Sequence, residues 1–242
     1  MRDERPLHHV TWPVRTLLAS ALVLQIGLHY LTPPAQARAE DLPPAPAVSV
    51  LRLASLGEPI ALAKVLMLQL QAFDYQAGTR IPYKDLDYGR LQAWLAAILE
   101  LDPAAQYPLL AAARLYAEVP REAKQRSMMD FIYHQYFLDP NRRWPWLAHA
   151  TFLAKHRLKD MGLARKYAAT IEKYTTAKDV PPWATSMEIF ILEDMNELEA
   201  ARIMIGGLLA SGRVTDRAEL IFLNGRMHEI EERLKREAGK KH

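Results

Sequence analysis

The chain of 242 residues contains no cysteine. This absence excludes thiol catalysis, zinc sites with thiolate ligands, disulfide bonds and lipid anchors attached through a thiol. No glycine-rich loop of the kind that binds phosphate groups occurs either. Lysine and arginine (31) exceed aspartate and glutamate (28) by only 3. With no basic block beyond Lys240-Lys241, the sequence predicts no nucleic-acid partner.

The composition that remains is typical of a globular protein. Half of the residues are hydrophobic and 24% are charged, which argues against disorder. The length suffices for one or two domains with a buried core. Apolar residues recur with helical periodicity and no sustained strand pattern is present. We therefore expect an all-α protein.

A hydrophobic run near the N-terminus points to the cell envelope. Basic residues at positions 2, 5 and 15 precede LLASALVLQIGLHYL, Leu17 to Leu31. These fifteen residues would span about 22 Å as a helix. Flanking residues extend the segment to 14–34, which is close to the length needed to cross a bilayer of about 30 Å. The arginines and a following proline-rich stretch argue against a buried core helix.

Two interpretations of residues 1–39 remain open. The sequence TPPAQARAED offers small-x-small sites for cleavage of a signal peptide, which would leave a soluble periplasmic protein. Alternatively, the segment stays as a single-pass inner-membrane anchor with its basic end in the cytoplasm. We expect the anchor, followed by a proline-rich linker over residues 40–50 and the rest of the chain in the periplasm.

A spacing of 37 residues recurs through the chain. The triplet Leu-Asp-Pro occurs at 101–103 and again at 138–140. Trp146 is followed by Trp183 at the same interval, and an Ala-Arg pair at 164–165 returns at 201–202. Several marks at one spacing of this size predict stacked repeats.

Each repeat unit reads as two helices. Asp139 is a suitable N-cap and Pro140 suits the first helical turn. Asp160 can cap a second helix, whose apolar stripe runs from Leu163 to Ile171. We expect these helical pairs to fill residues 51–212, with an earlier pair joined by the long loop AGTRIPYKD. One long C-terminal helix is expected within residues 213–242.

The run LDPNRRWPWLAHATFLAKHRLKDMGLARKYAATIEKY resembles a tetratricopeptide repeat. The shared features are a proline closing one unit, a tryptophan early in the first helix, a small residue four positions later, and Ala-x-x-Tyr in the second helix. The unit is longer than the family's 34 residues. A closer resemblance is to membrane-anchored bacterial helical-repeat proteins with a LASLG helix before the repeats. The resemblance implies a solenoid scaffold that binds another protein.

The resemblance also implies a binding groove. In the repeat family the position of Trp144 lines the inner face of the stack, whereas Trp146 takes the packing position and is expected in the core. The matching groove residues of the successive units are expected to be Tyr107 and Arg114, Trp144 and Thr151, and Glu188. Ordinary surface positions are the alternative interpretation of this set.

The sequence offers no candidate for catalysis or for a cofactor. His149 and His156 are two helical turns apart, about 10 Å, which is too far to share a metal ion without further ligands. The acidic residues between Glu193 and Glu199 are expected at a solvated helix junction, where capping explains them. We expect no enzyme activity, no metal, no cofactor and no small-molecule substrate.

The resulting expectation is a scaffold anchored in the inner membrane. It would hold another envelope protein through a tetratricopeptide-like domain, in a secretion, pilus or surface-assembly machine. The alternative is a structural accessory subunit of a membrane complex, in which the leader helix does the binding.

Overall fold

The structure is a computed structural model, and it describes residues 11–31, 41–76, 79–177, 179–212 and 214–240. The described residues form twelve α-helices, a short 3₁₀ turn, a π-helical turn and a hairpin with two residues in each strand. The predicted all-α class is confirmed. The chain divides into two compact units, residues 1–40 with 75–80, and residues 41–74 with 81–242.

The first unit contains one long helix and the hairpin. Helix α1 (Trp12–Leu31) has 20 residues, none of them buried, and it is long and apolar enough to cross a membrane. The hairpin pairs β1 (Tyr75–Gln76) with β2 (Thr79–Arg80) in antiparallel register. Strand β2 lies in the stretch AGTRIPYKD, which the sequence indicated as a long loop, and β1 lies directly before it. Two residues per strand are too few for an alternating pattern to be visible.

The second unit holds eleven helices within its described residues. They are α2 (Val48–Ala54), α3 (Pro59–Ala72), α4 (Tyr88–Leu101), α5 (Tyr107–Ala111), α6 (Glu122–Tyr136), α7 (Pro140–His156), α8 (Met161–Tyr174), α9 (Pro182–Thr185), α10 (Met187–Asp194), α11 (Leu198–Ala210) and α12 (Arg217–Lys240). The 3₁₀ turn is Tyr83–Asp85, and the π turn, Ala112–Tyr116, continues directly from α5. Helix α12 is the expected C-terminal helix.

Local sequence signals explain several helix starts. Proline occupies the first turn of α3, α5, α7 and α9, where its missing N–H costs nothing and its fixed φ is helical. Asp160 caps α8 as expected, since its carboxylate accepts from the backbone N–H of Leu163 at 2.9 Å. Asp139 stands at the N-cap of α7 but makes no side-chain capping hydrogen bond.

Alanines let α7 and α8 approach closely. Ala150 and Ala154 of α7 and Ala164 and Ala168 of α8 are all fully buried, at 0% exposure. They recur at a spacing of four on both helices, so each presents a stripe of small side chains. From α6 onward each long helix packs against the next long helix in the chain, with α9 beside α8.

The buried apolar residues form two clusters. The larger cluster runs from Leu42 through α8 and includes Ile191. The smaller cluster joins Ile189, Leu192 and Ile205 to Leu223 and Ile230 of α12. The C-terminal helix thus shares a core with the preceding pair.

The expected linker is partly packed against the helices. Leu42 is buried, and the carbonyl groups of Leu42 and Pro43 accept hydrogen bonds from Arg90 Nη1 and Trp94 Nε1, both at 2.8 Å. These contacts with α4 fix residues 42 and 43, so this part of the stretch 40–50 is not a free linker. Proline is suited to the role because a rigid segment loses little entropy on docking.

Candidate protein-binding groove

An open apolar groove lies between α3 and the start of α5, with the end of α4 behind it. Its volume is about 390 Å³. We call it the Tyr107 groove. It is lined by Ala63, Lys64, Met67, Leu68, Ile98, Asp102, Ala105, Gln106, Tyr107 and Pro108. An apolar floor with a few polar groups at the rim is typical of a site that binds a side chain of a ligand or partner.

Tyr107 is the one expected groove residue that lies in this groove. Its side chain is 48% exposed, and its hydroxyl accepts a hydrogen bond from the side-chain amide of Gln71 on α3. Pro108 follows in the first turn of α5 and is buried. The hydroxyl of Tyr107 is thus bound to α3 while about half of the residue stays exposed, and tyrosine is among the residues that dominate protein interfaces.

Trp146 supports the rim of the same groove. It was expected in the core. Its ring is half-buried against the larger cluster, and its indole N–H donates to Oε1 of Gln106 at 2.7 Å. Trp146 therefore packs on the core with one edge and binds a groove residue with the other.

Trp144 lies at a different surface. Its ring meets Trp183 edge to face, with centroids 5.5 Å apart, and Trp183 is 54% exposed. Trp183 in turn lines a second groove of about 550 Å³ between α9, α10 and α12. The aromatic rings of Phe190 and Phe222 line that groove too, 6.0 Å apart. The sequence does not indicate this groove, because the groove forms only when α12 packs against α10.

Two of the expected groove residues are buried and do not line a surface. Thr151 has 0% exposure, and its hydroxyl donates to the carbonyl of Leu147 at 2.9 Å. Glu188 is 8% exposed and pairs with Arg165 Nε at 2.9 Å. The helix faces that carry them pack against neighbouring helices, so both assignments are corrected.

The π turn after α5 gives a physical reason why Arg114 is exposed whereas Thr151, 37 residues later, is buried. The N–H of Ala117 donates to the carbonyl of Ala112, five residues earlier, at 2.9 Å. Such a turn inserts one extra residue into a helix and rotates the following side chains. Arg114 lies within this turn and is exposed, and its charge acts on His149 of α7.

His149 sits in a half-buried, charged setting on α7. Its Nε2 lies 3.6 Å from Glu118 Oε1, and its ring stacks on Phe152 with centroids 6.2 Å apart. Burial lowers the pKa of His149 below its usual value, and Arg114 lowers it further, while Glu118 acts in the opposite direction. In the described part of the chain no three His, Asp or Glu side chains are grouped closely enough to hold a metal ion.

Comparison with known proteins returned no match, whether against family models, curated proteins or solved structures.

Proposed function

We propose that this chain is a membrane-anchored, tetratricopeptide-like scaffold of the bacterial envelope that binds another protein in the Tyr107 groove. The observation that carries the proposal is the open apolar groove with a half-exposed, hydrogen-bonded tyrosine at its edge. The groove also carries one cation, Lys64, and one anion, Asp102. A segment with one apolar anchor and flanking charges of both signs would complement it.

Recurring contact spacings support the repeat architecture. Side chains hydrogen-bond repeatedly to groups about one repeat unit away in the chain. Examples are Arg126 with Asp160 (34 residues), Gln92 with Ser127 (35), Gln71 with Tyr107 (36), Tyr136 with Thr175 (39) and Trp146 with Gln106 (40). A stack of helical pairs of about 37 residues would bring equivalent positions together at these separations.

The anchor is supported by α1. Its 20 residues would measure about 30 Å, the thickness of a hydrocarbon core. Arginines precede its apolar stretch, and by the positive-inside rule this favours an N-terminus in the cytoplasm and a helical unit in the periplasm. Sequencing the N-terminus of the membrane-bound protein tests whether the segment is retained as an anchor. A soluble form that begins after residue 37 or 39 would favour the signal peptide instead.

Photo-crosslinking tests the groove. A benzophenone amino acid replaces Tyr107 in the full chain, or Tyr174 as a matched control. Tyr174 is 43% exposed and lies outside the groove. We expect a discrete adduct from position 107 only. With the adduct identified by mass, Tyr107→Ala should weaken binding of the purified partner about tenfold or more.

The same experiment has a clear negative outcome. Identical adducts from both positions, or no loss of affinity in a Tyr107→Ala variant that keeps its helicity, would reject the groove as the binding site. Leu68→Glu gives a second check, since Leu68 is 65% exposed and lines the groove. A charge there should abolish the adduct without disturbing the core.

A structural accessory subunit of a membrane complex is the second candidate. The groove between α9, α10 and α12 favours this candidate, because an exposed apolar surface there could bind a second protein of the complex. A subunit should co-purify with its complex at fixed stoichiometry. Phe222→Glu places a charge in the second groove. This variant should then dissociate from the complex but still form the adduct at position 107.

A further inference from the structure

Helices α2 and α3 meet in a sharp, apolar elbow. Their axes differ by 111° across the turn at residues 55–58. Four large apolar side chains around the turn project into solvent. We define the α2–α3 elbow by them: Val50 (57% exposed), Leu53 (80%), Leu56 (92%) and Ile60 (52%). Single exposed apolar residues are ordinary, but a cluster at one turn marks an interaction surface.

The turn exposes Leu56 to solvent in an unfavourable backbone conformation. Leu56 has φ +50° and Gly57 has φ +94°. The left-handed region is unfavourable for a leucine, whereas glycine or asparagine adopts it readily. Leu56 gains no burial in the folded chain to offset this cost. An apolar side chain kept in such a conformation points to a function outside the fold itself.

The elbow is built rigidly on the helical unit. Leu51 and Ser55 are buried beneath it. The Ser55 hydroxyl donates to the carbonyl of Arg52 at 2.6 Å, and the N–H of Glu58 donates to the carbonyl of Ser55 at 2.9 Å. The exposed leucines are therefore presented by a fixed turn and not by a loose loop.

The charges around the elbow suit an anionic, apolar environment. Residues 48–72 contain only Arg52, Glu58 and Lys64 as charged groups, and all three are exposed. Within this segment the two cations exceed the single anion. A surface with protruding leucines and a small positive excess matches the boundary between lipid headgroups and acyl chains.

The connecting chain is short enough for α1 and the elbow to reach the same bilayer. Residues 42 and 43 are docked on α4, so α1 is joined to the helical unit through residues 32–40. Ten peptide units from Leu31 to Asp41 reach at most about 35 Å. Helix α2 begins at Val48, only seven residues after Asp41. A bilayer crossed by α1 is thus within reach, which favours lipid over a soluble partner.

We propose that the α2–α3 elbow is a second membrane contact, at which Leu53 and Leu56 insert into the interfacial region of the bilayer that α1 crosses. Arg52, beside Leu53 on α2, supplies a cation for lipid phosphates. The inference rests on the proposed anchor, because α1 brings the bilayer close. The contact would limit the tumbling of the helical unit and so orient the Tyr107 groove relative to the membrane.

The absence of cysteine makes a direct test possible. Single variants Leu56→Cys, Ile203→Cys and Leu22→Cys of the full chain are labelled with an environment-sensitive fluorophore and reconstituted in vesicles of zwitterionic and anionic lipid. Ile203 is a matched control on α11, with 68% exposure. Lipids with nitroxides at the headgroup or along the acyl chain serve as quenchers. Circular dichroism confirms that each labelled variant keeps its helicity.

We expect the label at position 56 to shift to shorter wavelength and to lose emission most strongly with the shallow nitroxide. The label at 203 should do neither. Position 22 reports the anchor separately, through quenching by deep nitroxides. Quenching at 22 without quenching at 56 would overturn the elbow contact and leave the anchor standing. A wavelength shift at 56 that no lipid quencher affects would overturn it as well, because protein would then cover the elbow.

Discussion

The indole N–H of Trp146 and the side-chain oxygen of Gln106 are hydrogen-bonded at 2.7 Å, although the two residues are 40 positions apart. The bond ties α7 to the segment that opens α5, where Gln106 forms part of the Tyr107 groove. The tryptophan of α7 therefore helps to fix the geometry of a candidate binding surface at the start of α5.

Trp146→Phe should lower the free energy of unfolding by about 1 kcal/mol. Phenylalanine keeps most of the aromatic packing but cannot donate to Gln106. Urea denaturation followed by circular dichroism measures the change. Trp183→Phe is the control, because Trp183 is 54% exposed and its ring contact survives the change. An equal loss in both variants would show that packing, and not this hydrogen bond, governs the effect.

Arg143 and Arg142 are neighbours with opposite environments. Arg143 is 2% exposed and donates to the backbone carbonyls of Gln135 at 2.7 Å and Pro103 at 3.2 Å. Arg143→Lys should cost about 2 kcal/mol of unfolding free energy, because a lysine ammonium cannot serve acceptors from two segments with one planar fork. The exposed Arg142→Lys should change stability by less than about 0.5 kcal/mol. Thermal denaturation of the two variants measures this difference in stability.

Sequence signals within one helix predicted the local structure well. Prolines and Asp160 mark helix starts, and the apolar stripe of α8 is buried at Ala164, Tyr167, Ala168 and Ile171. These signals act over a few residues, so they do not depend on the rest of the fold. The same holds for α12, whose long periodic pattern predicted one helix.

The candidate site could be predicted only in part. Tyr107 lies in a groove, but Thr151 and Glu188 are buried. A fixed offset of 37 residues assumes that each helix presents the same face, and the π turn at 112–116 breaks this assumption. The face that a helix exposes depends on all of its neighbours. Predicting which positions of α7 are buried requires knowing the neighbouring helices, and a single sequence does not identify them.

Glu193 and Arg226 join α10 to α12 through an ion pair in which the carboxylate side chain is only 5% exposed. Glu193→Gln should lower the unfolding free energy by about 2 kcal/mol, since it leaves a partly buried guanidinium without its main partner. Arg226 retains Glu229, which moderates the loss. The exposed Glu197→Gln is the matched control, with an expected change below about 0.5 kcal/mol. Similar denaturation midpoints for both variants would argue against this pair as the link to α12.

The final prediction concerns His149, whose pKa is lowered in the folded chain by burial and by Arg114, against the opposing charge of Glu118. The unfolded chain therefore binds a proton at this residue at a higher pH than the folded chain does. Stability at this site is fully present above the unfolded pKa of about 6.5 and is lost as the pH falls through that value towards the lower folded pKa. The free energy of unfolding should accordingly decrease between about pH 7 and pH 5, as measured by urea denaturation at a series of pH values. His149→Gln should flatten this decrease, whereas His156→Gln, an exposed position on the same helix, should keep the wild-type dependence. If His149→Gln retained the full decrease, proton uptake by His149 would not be its cause.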